Sequence, residues 1–171
     1  MELGLKYRLL SGQGNVLSVQ GLVKIPEFYD EDDDPALGNS QYDTEIRFLY
    51  GQSLYPTVPG YFNIEAGYRF RAEAPADELR YLIEIGLDFT EHAYGRIKLD
   101  GIYGMNNEGS GSGASGNPTA TLDYDLGQLD ACLGWKISSD WGIELGYRPE
   151  IYGKNTSEGT NWSFSLIYLY P

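Results

Sequence analysis

Three small groups of residues have types that could do chemistry. Glu27, Asp30, Glu31, Asp32, Asp33 and Asp34 form the densest acidic run of the chain, and oxygen-rich clusters of this kind can bind Ca²⁺. The run lacks the central glycine and terminal bidentate glutamate of a calcium loop. Asp30, Asp32 and Asp34 are therefore candidate divalent-ion ligands inside what reads mainly as a solvated loop. His92 is the sole histidine and would be the base of a Ser-His hydrolase or an acyl-transfer centre. No serine or aspartate stands at a diagnostic spacing from it, and it falls in a tight turn. Cys132, the sole cysteine, cannot close an intrachain disulfide and reads as packing. Spacing yields no metal set and no cofactor set, and the chain is read as non-enzymatic.

A fourth group is larger and periodic. Lys6, Arg8, Arg47, Glu65, Arg69, Arg80, Glu84, Arg96, Lys98, Asp100, Glu144 and Arg148 alternate with apolar residues, so in strands they share one face. The unit recurs as Glu2-Leu-Gly4-Leu-Lys6, Glu65-Ala-Gly67-Tyr-Arg69 and Glu144-Leu-Gly146-Tyr-Arg148. Each copy sends an acid, a gap and a base to the same side. The gaps read as room for neighbouring Arg and Glu side chains, and the charges as a connected, hydrated ion-pair network. Such a network either fills an interior or lines a solute path.

The elements that must position these residues are strands. The chain has 171 residues, 22 glycines and 15 tyrosines, a length for one domain and a composition of strands and turns. Alternation marks nine candidates, at 2–10, 15–25, 41–51, 61–71, 78–90, 93–105, 119–137, 140–152 and 161–170. The fifth is the clearest, with Leu79, Tyr81, Ile83, Ile85, Leu87 and Phe89 on one side. In the seventh the apolar phase changes, which predicts a bulge near Gly127. Eleven of the twelve basic residues fall on the polar phase and the twelfth, Lys154, in a loop, so the sheet has two sharply different faces. Connections after the first, fifth and seventh strands are short, and those at 26–40 and 106–118 are long. A net charge of −13 excludes a continuous basic surface for nucleic acid. No apolar run reaches the roughly 18 to 20 residues of a membrane helix, and no export signal precedes the first strand.

Aromatics end the apolar rows. Trp135 and Trp141 flank one short turn; Tyr42, Tyr68, Tyr81 and Trp162 approach the opposite rim, with Tyr168 and Tyr170 closing the last strand. Two aromatic girdles around an aliphatic middle suit a barrel in lipid, and glycines beside charges suit a crowded interior. The last strand, Trp162-Ser-Phe-Ser-Leu-Ile-Tyr-Leu-Tyr170, resembles the C-terminal signal of bacterial outer-membrane barrels. The Gly-Tyr-Arg strands and the Pro-Ala-Asp-Glu turn at 75–78 resemble small proteobacterial outer-membrane proteins of the porin or transporter-like sort.

That resemblance implies an all-β, transmembrane, antiparallel up-and-down barrel of about eight to ten strands over residues 1–171, with 26–40 and 106–118 as extracellular loops. It implies a place in the Gram-negative outer membrane, with membrane lipid, lipopolysaccharide and the barrel-assembly machinery as partners. Nine strands is odd for a single-chain bacterial barrel, so a trimmed or engineered barrel, the C-terminal part of a larger one, or an oligomeric, multi-chain barrel stays open. The functional expectation is a non-enzymatic barrel with a charged, largely filled interior. A channel or transporter for small solutes, an outer-membrane lipid hydrolase or acyltransferase, and a soluble ligand-binding barrel are the alternatives.

Overall fold

Alternating residues build strands wherever the pattern is strict, and the computed structural model places nine of them among residues 1–26, 41–72, 76–106, 123–156 and 158–168, the parts it describes. They are β1 (Glu2–Ser11), β2 (Asn15–Lys24), β3 (Asp43–Ser53), β4 (Gly60–Arg71), β5 (Glu78–Asp88), β6 (Ala93–Gly104), β7 (Asp125–Lys136), β8 (Trp141–Lys154) and β9 (Thr160–Tyr168). The change of apolar phase in the seventh segment is absorbed by a register shift between Gly127 and Gln128. A second shift, between Arg8 and Leu10, has no counterpart in the alternation. The long loops 26–40 and 106–118, with Asp30, Asp32 and Asp34, lie almost wholly outside the described residues, as does Tyr170.

The strands form one meander in chain order, every neighbouring pair antiparallel. The up-and-down topology is therefore present, but the barrel is not. Among the described residues β1 pairs only with β2 and β9 only with β8, leaving a nine-stranded sheet with two open edges. Nine alternating strands leave β1 and β9 pointing the same way, so joining their edges would take a parallel pair in an otherwise antiparallel sheet.

Several expectations fall with closure. Backbone N–H and C=O groups along an open edge have no partner in hydrocarbon, so a spanning sheet must be closed. The resemblance to outer-membrane barrels is therefore not borne out, and neither are a porin-like or transport role or an outer-membrane location. Membrane lipid, lipopolysaccharide, assembly machinery and a shared multi-chain barrel lose their basis as partners. Among the described residues the open sheet encloses no lumen for a channel or for a soluble ligand-binding barrel. Among the described residues no helix is long and apolar enough to cross a membrane, a statement about helices alone.

The two faces differ in burial in an unusual sense. On the apolar face Leu5 is 85% exposed, Phe164 72% and Phe48 51%. On the charged face Asp43 is 1% exposed, Glu45 4% and Glu78 2%. Among the described residues the only buried apolar side chains are Ala76 and Cys132. Interlocked polar side chains thus take the place of an apolar core.

Candidate functional site

Four consecutive strands, β2 to β5, bring the densest part of the charged face together. Arg47 and Glu45 lie two apart on β3, and Gly67 of β4 stands opposite Arg47. Because Gly67 has no side chain, Arg47 lies over it, 3.2 Å from where a Cβ would be. Arg47 Nε donates to Glu45 Oε1 at 2.7 Å and Nη1 to Glu65 Oε2 at 2.9 Å. Arg69 of β4, directly opposite Glu45, donates from Nε to Glu45 Oε2 at 2.9 Å and from Nη2 to Glu2 Oε1 at 3.4 Å. Arg80 of β5 donates from Nε to Glu78 Oε2 at 2.9 Å, and its Nε is 3.8 Å from Glu45 Oε2. Arg71 caps the other oxygen of Glu78. Asp43 receives Lys24 at 3.5 Å and Arg69 at 3.9 Å.

Burial alone would raise the pKa of Glu45. Hydrogen bonds and charges from Arg47 and Arg69 outweigh it and hold this carboxyl below the usual range. Glu45 is therefore an anion locked between guanidinium groups, a poor proton donor and a poor nucleophile.

Smaller clusters continue across β4 to β8. Tyr61 Oη donates to Glu84 Oε1 at 2.9 Å, and Asn63 Nδ2 reaches the same oxygen at 3.3 Å. Arg96 Nε is 3.9 Å from the other Glu84 oxygen. Tyr94 Oη donates to Glu144 Oε1 at 2.8 Å. Arg148 Nη2 donates to Gln128 Oε1 at 2.6 Å and to Asp100 Oδ2 at 3.3 Å, and Lys98 faces Asp130 at 3.4 Å. A polar cleft of about 160 Å³ lies among Arg47, Glu65, Arg80, Asp100 and Gln128.

The structure thus brings together Arg47, Glu65, Arg69 and Arg80, then Glu84 with Arg96, and Asp100 with Arg148. Lys98 pairs with Asp130, Glu144 holds Tyr94, and Lys6 and Arg8 stand exposed on β1. These residues face the open side of a sheet, not a lumen.

Sequence reasoning left Asp43 and Glu45 out of the charged face and, although it set Glu78 beside Arg80 on that face, did not count it in the network; the parity of all three matches that of Arg47 and Arg80. It also missed what fills two further glycine gaps on the charged face. Gly86 and Gly134 lie beneath the rings of Tyr61 and Tyr94, their direct cross-strand partners. The signal was present as tyrosines on the polar phase. Among the described glycines only Gly67 receives an arginine in this way.

Burial first, then the hydrogen bond to a carboxylate, pushes Tyr61 and Tyr94 each up to about 12. A raised folded-state pKa gives stability that is complete below the ordinary tyrosine value of about 10 and is lost as pH rises through about 12. In an alkaline titration followed by tyrosinate absorbance, a late-titrating class near pH 12 is expected. Tyr94→Phe should shrink it by one residue; an unchanged amplitude would remove Tyr94 from that class.

The aromatics proposed as girdles make ring contacts on the apolar face or at its rim, across β8 and β9 in two cases and along β4 in a third. Trp141 meets Tyr168 at 4.7 Å between ring centroids, Tyr147 meets Trp162 at 4.5 Å and Tyr68 meets Phe70 at 4.6 Å. Tyr81 and Tyr152 touch through their hydroxyls above the opposed pair Gly101 and Gly127. Tyr42 is exposed, and Trp135 stacks with His92 at 6.0 Å.

Among the described residues no serine or aspartate hydrogen-bonds the His92 ring. Among the described residues the His92 ring makes its contact with Trp135, and Thr90 Oγ1 accepts hydrogen bonds from the His92 and Ala93 backbone N–H groups. Burial, with Glu144 nearby, raises the Cys132 thiol pKa, the opposite of what an activated nucleophile needs. Among the described residues no group of His, Cys, Asp and Glu could hold a metal ion. Comparison with protein-family models, with curated proteins and with solved structures gives no match, so the functional reading rests on the sheet itself.

Proposed function

We propose that the chain is a non-enzymatic association protein whose working surface is the apolar face of the sheet, covered in use by an apolar protein surface. The observation that carries this reading is the reversal of burial, with carboxylates and guanidiniums packed and aliphatic and aromatic rows exposed. If each half-exposed large side chain shows roughly 80 Å², those rows amount to on the order of 2,000 Å². A typical monomer shows a largest apolar patch of about 300–600 Å², and a standard interface takes about 800 Å² from each partner. The locked carboxylates and the unassembled His92 support a non-catalytic role. A groove of 380 Å³ on the apolar face, lined by Ile85, Phe89, Leu133, Tyr147 and Trp162 among others, offers a concave docking point.

The test is binding of a hydrophobic fluorescent dye in buffer without detergent. Strong dye fluorescence is expected. Ile85 is 40% exposed, so Ile85→Arg should change folding stability by no more than about 0.5 kcal/mol while lowering the dye signal. A folded chain that binds no dye would overturn the reading.

A further inference from the structure

The two edges of the sheet are chemically unlike, and the difference can be read from the backbone. Glu150 N donates to Gly159 O at 3.1 Å, and these residues continue the register that runs from Trp141↔Tyr168 to Pro149↔Thr160. Hydrogen-bonded and non-hydrogen-bonded pairs alternate along an antiparallel ladder. Asn161, Ser163, Ser165 and Ile167 therefore turn their N–H and C=O groups toward β8. Thr160, Trp162, Phe164, Leu166 and Tyr168 turn theirs outward. Pro149, which has no N–H to give, sits opposite Thr160 at a non-hydrogen-bonded position, as this phase requires.

On the other edge, Met1 and Ile25 exchange both backbone hydrogen bonds, at 2.8 and 2.9 Å. By the same alternation Leu3, Leu5 and Tyr7 bond to β2, and the outward groups belong to Glu2, Gly4, Lys6 and Arg8. That edge carries charges and the Arg8/Leu10 register shift, both of which discourage strand addition. β9 has no charged residue, no proline and no shift, and all its residues but Ile167 are exposed.

We propose that β9 is a dimerisation edge, pairing antiparallel with β9 of a second copy of this chain about a two-fold axis at Phe164. The inference concerns an edge and does not depend on the face-binding reading above. With the axis at Phe164, Phe164 opposes Phe164, Trp162 opposes Leu166 and Thr160 opposes Tyr168. Every outward backbone group then finds its partner, giving about ten hydrogen bonds, and apolar side chains stay beside apolar side chains. A shift of the axis by half a residue would set outward groups against inward ones.

The alternatives are worse by phase, charge or symmetry. An antiparallel β1 from a second copy offers outward groups from residues of the charged face, and would seat Lys6 and Arg8 beside Trp162 and Phe164. A parallel β1 would match in phase but makes a head-to-tail contact that propagates, whereas the two-fold pairing closes at two copies. In a chain of net charge −13, the β9 pairing also brings no charges of the two strands together.

Phe164→Pro deletes an outward N–H and no bond to β8, at an edge position where proline is tolerated; Phe164→Ala removes the same ring and keeps the N–H. Light scattering after size exclusion should give twice 19.1 kDa for the parent and for Phe164→Ala, and the monomer mass for Phe164→Pro with an unchanged circular-dichroism spectrum. In a Cys132→Ala background, a mixture of Ser163→Cys and Ser165→Cys chains should form an interchain disulfide on oxidation that neither forms alone. A monomeric parent, a dimeric Phe164→Pro or a mixture that fails to cross-link would overturn the proposal. Loss of the dimer in both Phe164 variants would also overturn it, by assigning the contact to the apolar face. Dye binding by the Phe164→Pro monomer reads the face separately.

Discussion

Replacement of Glu45 by alanine is expected to destabilise the fold by about 3–5 kcal/mol, read as a lower urea midpoint. Glu45 is 4% exposed and accepts from Arg47 and Arg69 with Arg80 close by. Its removal leaves buried guanidinium N–H groups of Arg47 and Arg69 without their acceptor, with Glu65 remaining to Arg47 and Asp43 and Glu2 to Arg69, and that loss exceeds the net worth of the ion pairs themselves. Glu45→Gln keeps the shape and one acceptor oxygen and should lose less. The same residue sets an acid limit. Its folded pKa is lowered, so its contribution is complete above the ordinary carboxylate value of about 4.3. It is lost as pH falls through the lower folded value. The alanine variant should show a smaller stability change across that window than the parent; an equal change would deny Glu45 this role.

Gly60→Ala is the second large effect. A Cβ at Gly60 would run into the backbone carbonyl oxygen of Gly86 on β5, with Leu87 Cδ2 at 2.8 Å. A side-chain tip can turn aside, but a carbonyl in the β4–β5 ladder moves only with its strand. The expected cost is about 1–3 kcal/mol, the range for overpacking. Gly21→Ala is the control, because nothing lies within 4 Å of its Cβ position; a change within about 0.5 kcal/mol is expected. Equal stability of the two variants would mean that β5 yields to the added methyl and that the Gly86 carbonyl does not govern the response.

Local pattern carried much of the molecule. The alternation through Leu79 to Phe89 located β5, the phase change located the shift at Gly127, and parity assigned Arg47, Arg69, Arg80 and Glu84 to one face. Those are near-neighbour properties, set where side chains alternate along a strand. The partners of each charge were less legible. Arg69 reaches Glu2 across two intervening strands and Tyr94 lies over Gly134 because of cross-strand register, which pairs residues far apart in the chain. The serious error concerned glycine beside charge, which looked like the crowded inside of a closed wall. In the structure Gly86 and Gly134 make room for tyrosines and Gly67 for an arginine, while Gly4 lies against the Gly21 carbonyl and Gly146 against Ser163, on an open sheet.

The sequence by itself determined nine strands, their two unlike faces and the acidic, turn-rich composition, because these follow from residue type and a period of two. Only the tertiary structure decided that the sheet ends at β1 and β9 and that the charged face is the packed one. Closure depends on how strand directions and edges meet across the whole sheet, and a pattern repeating every second residue carries no record of that.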